Sequence, residues 1–168
     1  MDRLALWIAQ GFGTGRIPVA PGTFGSLVGI LWTLLLIQTG SLWWYLAGTF
    51  LGLAGSVWLC SHAERILKQK DAPSVVLDEI AALPICFVAS VTAECTSQGT
   101  LPPAESYLKT PLVYMTVTLF ALFRVFDIIK LWPASALERW PGGWGITADD
   151  VMAAIYVALL SCVFVFWR

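Results

Sequence analysis

Residues 42–60 read LWWYLAGTFLGLAGSVWLC, an apolar run without one Asp, Glu, Lys or Arg. Its length fits the roughly 20 apolar residues that a helix needs to cross a bilayer. Working outward, Val151–Trp167 is a second clear run. Leu77–Ala93 begins with Asp78 and Glu79, Leu112–Ile129 carries Arg124 and Asp127 near its end, and Phe24–Gln38 is short enough to suggest a re-entrant segment. With 58% hydrophobic and 12% charged residues and a mean hydropathy of +0.75, the chain is too apolar to cover a soluble domain with a charged surface. The pattern predicts an all-α fold: a multi-pass transmembrane helical bundle of about five spans, with residues 1–168 forming one membrane-embedded domain.

A net charge of −1 leaves no concentrated basic face for nucleic acid. Cys60, Cys86, Cys95 and Cys162 form no CxxC pair and suit small apolar packing better than zinc or disulfides. Gly48, Gly52 and Gly55 read as close helix packing. Asp2 and Arg3 precede only a short apolar run, without the features of a signal peptide, so the mature chain is expected to start near Met1.

Positive residues near span ends stay on the cytoplasmic side. With five spans and a cytoplasmic N-terminus, Arg3, Arg16, Arg65, Lys68, Lys70, Lys130 and Arg139 fall inside, and only Lys109 and Arg168 face out. A re-entrant first run would move the Arg65–Lys70 cluster outside, so five spans are preferred. Trp43, Trp44, Tyr45 and Trp167 would mark the outer interface, and Trp132, Trp140 and Trp144 the inner one.

This topology brings four separated stretches to one edge: GFGTGRIPVAPGTFGS (11–26), VVLDE (75–79), FRVFDIIK (123–130) and GGWGITADD (142–150), the last preceding the fifth span. Ionisable residues at span edges usually face a protein interior or an aqueous cavity. Asp78 and Asp149 could merely favour helix N-termini, and Lys130 a C-terminus. Two adjacent acidic pairs beside an Arg-x-x-Asp-x-x-Lys row on one helix side instead suggest a metal and phosphate site. Clustered carboxylates without histidine suit magnesium better than zinc. His62, the only histidine, reads as an ordinary loop residue. Arg124 and Lys130 can bind a phosphomonoester, although salt bridging of Lys130 with Asp127 would also explain that lysine. The glycine-rich entry, with hydroxyls at Thr23 and Ser26, leads into a helix whose amides would cradle phosphate. It lacks the GKT ending of a P-loop.

In this order, PGTFGSL, VVLDE, FRVFDIIKLWP and GGWGITADD resemble the motifs of the phosphatidylglycerophosphatase A family across nearly the whole chain. Ala82 and Ala154 stand where that family is expected to have glycine, and Leu131 where proline often precedes Trp-Pro. The resemblance implies a magnesium-dependent phosphatase of the bacterial inner membrane, its site facing the cytoplasm, that removes the terminal phosphate of phosphatidylglycerophosphate to complete phosphatidylglycerol synthesis. The expected roles are Asp78, Glu79, Asp149 and Asp150 at Mg2+, Arg124, Lys130, Thr23 and Ser26 at phosphate, and Asp78, Glu79, Asp127 and Asp150 in catalysis. Either water or an aspartate would be the nucleophile. The rival reading is a small ion or proton-coupled transporter, whose carboxylates should lie near mid-membrane rather than gather at one edge.

Overall fold

Backbone groups in lipid must be satisfied within their own segment, so apolar runs separated by Gly, Pro and polar breaks fold as helices. The computed structural model describes residues 2–166; Met1, the expected outer aromatic Trp167 and the outward charge at Arg168 lie outside the described residues. Helix α1 (Asp2–Ala9) and a 3-10 turn (Gly11–Arg16) lead into α2 (Pro21–Ile37), α3 (Leu42–Leu67) and α4 (Leu77–Gln98). A second 3-10 turn (Ala104–Leu108), α5 (Leu112–Ile129), the single-turn α6 (Ala134–Leu137) and α7 (Gly143–Phe166) complete the chain. No strand occurs among the described residues.

Helices α3, α4, α5 and α7 are long and apolar enough to cross a membrane, and α2 is a shorter apolar helix. Its 17 residues extend about 25 Å at 1.5 Å per residue. It does not turn back: Gly22 sits against Glu79 at one end of the bundle, and Leu36 lies against Gly48 towards the other. Helix α4 is the axis, since 56% of its apolar window is buried against 17% for α3 and α5. Its Leu83, Cys86, Phe87 and Val91 pack with Ile37, Tyr45, Phe123 and Val157. The outer helices turn Phe50, Leu51, Trp58, Tyr114, Val117 and Leu159 outward, as lipid rather than water would favour.

Several details depart from the sequence reading. Trp43 and Trp44 are exposed, but Tyr45 is fully buried and its phenol donates to the Pro84 carbonyl at 2.6 Å. A phenol in an apolar interior needs such an acceptor, and that bond draws it inward from the expected interface. Gly48 and Gly52 do face α2, through Leu36 and Trp32, whereas Gly55 meets nothing within 4 Å. His62 lies on α3 rather than in a loop, stacked on Trp58 and 3.1 Å from Asp2. All four cysteines are free thiols.

The short N-terminal run folds as α1 because a second core receives it: Ala9 packs with Cys60, Ala63, Ala72, Val75 and Ile146. The Val76 amide donates to the Ala9 carbonyl at 3.0 Å, and Gly15 lies directly against the Ser74 carbonyl. The glycine-rich entry therefore braces the segment just before Asp78. Helix α7 begins at Gly143, eight residues ahead of the expected Val151, so Asp149 and Asp150 lie inside a helix rather than before one. The early start is possible because Ser61 on α3 accepts the Gly143 amide at 2.7 Å, satisfying a donor that a helix end leaves open.

Gly143 also abuts the Val57 carbonyl, so a methyl group there would meet α3 backbone. Gly143→Ala is expected to destabilise the protein by about 1–3 kcal/mol through overpacking, whereas Gly55→Ala, with open space around it, should be neutral or stabilising by up to about 1 kcal/mol. Thermal unfolding in detergent measures both; equal midpoints for the two variants would contradict this packing.

Candidate active site

The starts of α2, α4 and α7 and the ends of α3 and α5 meet at one end of the bundle, and the four sequence stretches meet with them. Two cations organise this polar end. Arg124, in the last turns of α5, places Nη1 2.8 Å from Asp127 Oδ2, 3.0 Å from Glu79 Oε1 and 3.3 Å from Ser26 Oγ. One guanidinium nitrogen thus links α5, α4 and α2. Arg124, Glu79 and Asp127 are mostly buried, which makes the partners necessary, since an isolated charge there would cost several kcal/mol. Glu79 fits beside the first turn of α2 because Gly22 and Gly25 have no side chain; a Cβ at either would collide with its carboxylate.

Lys130 forms the second centre. The expected row along one side of α5 ends before it: the helix stops at Ile129, and Lys130 takes a left-handed conformation with φ of 48°. That turn directs Nζ away from Asp127 and to Asp149 Oδ2 at 2.7 Å, with Glu138 Oε1 at 3.4 Å and Asp71 Oδ2 at 3.9 Å. Burial alone would lower the lysine pKa, but the hydrogen bond and charge of Asp149, with Asp71 and Glu138, outweigh it and raise the pKa above the ordinary value. Lys130 therefore stays a cation throughout the physiological range.

Asp78 and Asp150 are buried, and Asp78, Glu79, Asp127 and Asp149 all lie within electrostatic reach of Asp150. Ser26 is fully buried; its hydroxyl donates to the Gly22 carbonyl at 2.9 Å and accepts from Arg124. Thr23 lies in the same first turn of α2, its amide donating to the Ala20 carbonyl at 3.0 Å. Of the glycine-rich entry, then, Gly22–Ser26 reaches the charged groups, while Gly11–Gly15 is a brace behind them. Sequence reasoning missed Asp71 and Glu138, which arrive from the α3–α4 loop and the end of α6. Neither belongs to a periodic pattern, and only the fold brings them to Lys130.

The partner inventory is incomplete in a specific way. Asp78 Oδ1, Glu79 Oε2, Asp149 Oδ1 and Arg124 Nε are all buried without a hydrogen-bond partner. Buried polar groups are normally paired, and each orphan costs about 1–3 kcal/mol. Their concentration at one place, with acceptors and a donor together, calls for a ligand carrying both charges or for ordered water. Among the described residues no three His, Cys, Asp or Glu side chains converge to hold a metal ion by themselves. Magnesium does not demand that: it commonly takes one or two carboxylates with waters and substrate phosphate. The orphaned carboxylate oxygens of Asp78, Glu79 and Asp149 are hard donors of this kind and fit it.

Known proteins resemble this chain over most of its length. The phosphatidylglycerophosphatase A family model matches residues 7–165. A Bacteroides thetaiotaomicron protein, provisionally named a phosphatidylinositol-3-phosphatase, is 32% identical over 95% of this chain and 92% of its own length. Proteins named phosphatidylglycerophosphatase A from Haemophilus influenzae and Escherichia coli are 32% and 30% identical, over 95% and 90% of this chain and 88% and 77% of their own lengths. No solved structure matches the chain. On the family match over most of its length and on these relatives, the chain belongs to the phosphatidylglycerophosphatase A family.

Proposed function

We propose that this protein hydrolyses phosphatidylglycerophosphate to phosphatidylglycerol and inorganic phosphate, in a magnesium-dependent reaction at the cytoplasmic face of a bacterial inner membrane, as a step of phospholipid biosynthesis. The observation that carries the reading is the meeting of unpartnered carboxylate oxygens with two cations, Lys130 and an Arg124 whose Nε–H is unpartnered, at one end of a membrane-type bundle. The family and the names of two relatives support the substrate. Arg16, Arg65, Lys68, Lys70, Lys130 and Arg139 belong to the segments at the polar end and Lys109 to the loop at the other, which favours a cytoplasmic site and N-terminus.

In this reading the lipid chains stay beside the outer helices while the headgroup reaches the polar end. Arg124 and Lys130 bind non-bridging phosphate oxygens, donating hydrogen bonds and offsetting negative charge. Asp127 and Ser26 position Arg124; Asp71 and Glu138 position Lys130. Asp78, Glu79, Asp149 and Asp150 would hold magnesium, which when bound supplies positive charge to the phosphoryl oxygens. Attack on phosphorus by water, or by an aspartate whose acyl phosphate water then cleaves, breaks the bond to the glycerol oxygen. That oxygen takes up a proton given up by the water and becomes a free hydroxyl, and the two products are phosphatidylglycerol, still anionic through its phosphodiester, and inorganic phosphate. Charge neutralisation and positioning provide most of the acceleration of such transfers.

Phosphate release from phosphatidylglycerophosphate by detergent-purified protein, with and without magnesium, tests the reading, with phosphatidylinositol 3-phosphate as a second substrate. Release is expected to require magnesium and to fall by about 10²-fold or more in correctly folded Asp78→Asn and Asp150→Asn. No release from well-folded protein under varied lipid conditions would sink the phosphatase assignment and turn attention to transport. Faster turnover of the inositol lipid would reassign the headgroup.

The two cations should respond differently to mutation. Arg124→Lys keeps the charge but loses the planar guanidinium, whose unpartnered Nε–H is free for a phosphate oxygen while Nη1 holds the three helices, so a drop of at least tenfold in kcat/KM is expected; wild-type kinetics would show that only its charge matters. Asp71→Asn and Glu138→Gln each remove one flank of a lysine still held by Asp149. Each should lower kcat/KM only about two- to fivefold, and a loss as large as that of Asp78→Asn would place them in the reaction itself.

A further inference from the structure

A cleft lies beside the polar end, apart from the groups assigned to the reaction. It has a volume of about 410 Å³ and runs between the end of α3 and the turn before α7, lined by Ser61, Glu64, Arg65, Lys68, Lys70 and Gly142 among others. That size falls within the range of about 300–1,000 Å³ typical of small-ligand sites. Arg65, Lys68 and Lys70 are exposed, and among the described residues none of them forms an ion pair. Arg65 Nε donates to the Ser61 carbonyl at 3.2 Å, which anchors the side chain and leaves its terminal N–H groups for a ligand. The Ser61 hydroxyl is already used by the Gly143 amide.

The remaining polar group has the opposite character. Glu64 Oε2, in the last turn of α3, is buried without a partner and requires a donor; Lys68 follows the helix end in a left-handed conformation. Neither lysine supplies one. A free phosphate would satisfy the cations but would set close to two negative charges against this carboxylate, whereas a phosphodiester carries one. A phosphodiester bearing a free hydroxyl satisfies both at once. The setting is an interfacial one: Trp58, Trp140 and Trp144 are exposed nearby, as rings at the headgroup level are, and clustered cations next to a span attract anionic lipid.

We propose that this cleft holds the headgroup of an anionic phospholipid with a free polyol, Arg65, Lys68 and Lys70 taking the phosphodiester and Glu64 accepting from a headgroup hydroxyl. Phosphatidylglycerol has this chemistry, so the lipid made at the polar end would also dock beside it, on the loop that carries Asp71. Only that link to the product rests on the proposed function; the binding itself does not.

Native mass spectrometry of the detergent-purified full chain tests it, with phosphatidylglycerol, phosphatidylmethanol (an anionic phosphodiester without a hydroxyl) and phosphatidylethanolamine as probes. The protein is expected to retain phosphatidylglycerol over both others. Each cation near an anionic headgroup is worth roughly a fivefold factor, so R65Q/K68Q should weaken phosphatidylglycerol binding about thirtyfold. Glu64→Ala should abolish the preference for phosphatidylglycerol over phosphatidylmethanol while leaving the latter bound. Phosphate release by all these variants should match the wild type. Unchanged phosphatidylglycerol binding by R65Q/K68Q, equal binding of phosphatidylmethanol by the wild type, or full displacement of the lipid by inorganic phosphate alone would each overturn the proposal. Expected lipid binding without phosphate release from any substrate would instead overturn the proposed function and leave the cleft assignment standing.

Discussion

The guanidinium of Arg124 is the constraint on which the polar end depends. It reaches Asp127 on its own helix, Glu79 on α4 and Ser26 on α2 through a single nitrogen. Carboxylates buried at the end of a lipid-facing bundle are costly unless paired, so α2, α4 and α5 must keep these groups in register. Helix packing follows from that requirement. Gly22 and Gly25 leave room for the Glu79 carboxylate where any side chain would collide with it, and Ser26, one turn on, meets Arg124 because its hydroxyl is directed by the Gly22 carbonyl. A glycine-rich motif that resembles a phosphate loop is here first a means of bringing a helix close to an acid.

Spans and charged motifs were legible in the sequence for different reasons. Long apolar runs announce helices because lipid permits little else, and the Arg124–Asp127 pair follows from a spacing of three on a helix. The same spacing misled at Lys130, because periodicity holds only while the helix continues, and the left-handed turn at that residue sends its side chain to α7. The early start of α7 was hidden by Gly142, Gly143 and Gly145, which read as a break. A hydroxyl on another helix caps that end, and no local pattern contains such information. Asp71, Glu138 and the docking of α1 were invisible on the same ground: each depends on contacts distant in sequence. Tyr45 was placed at the interface by its Trp neighbours, yet one carbonyl acceptor on α4 sufficed to bury it.

Ala82 and Ala154, the two positions that depart from the expected glycines, are both completely buried in the main core, on α4 and α7. Helices in lipid associate through close packing more than through exclusion of water, which favours small residues at their contacts. A methyl group at each site is thus accommodated in the core one helical turn from Asp78 and Asp150. Both positions are in the apolar core and every acidic and basic motif residue is in place, so the two alanines bear on packing and not on the identity of the site.

Charge balance gives the strongest physical reason for a cation at the polar end. Asp71, Asp78, Glu79, Asp127, Glu138, Asp149 and Asp150 converge on a region where, among the described residues, the cations paired with them are Arg124 and Lys130, and both of those are already held by carboxylates. A phosphomonoester brings further negative charge. It could take Arg124 or Lys130 only by displacing an acid, and the displaced acid would then be buried without a partner, at a cost of several kcal/mol. A divalent cation held by Asp78, Glu79 and Asp149 would supply the positive charge that offsets both. The orphaned oxygens of Asp78, Glu79 and Asp149 are the places where it would be held. On this argument metal and substrate are expected to bind cooperatively, each lowering the electrostatic cost of the other.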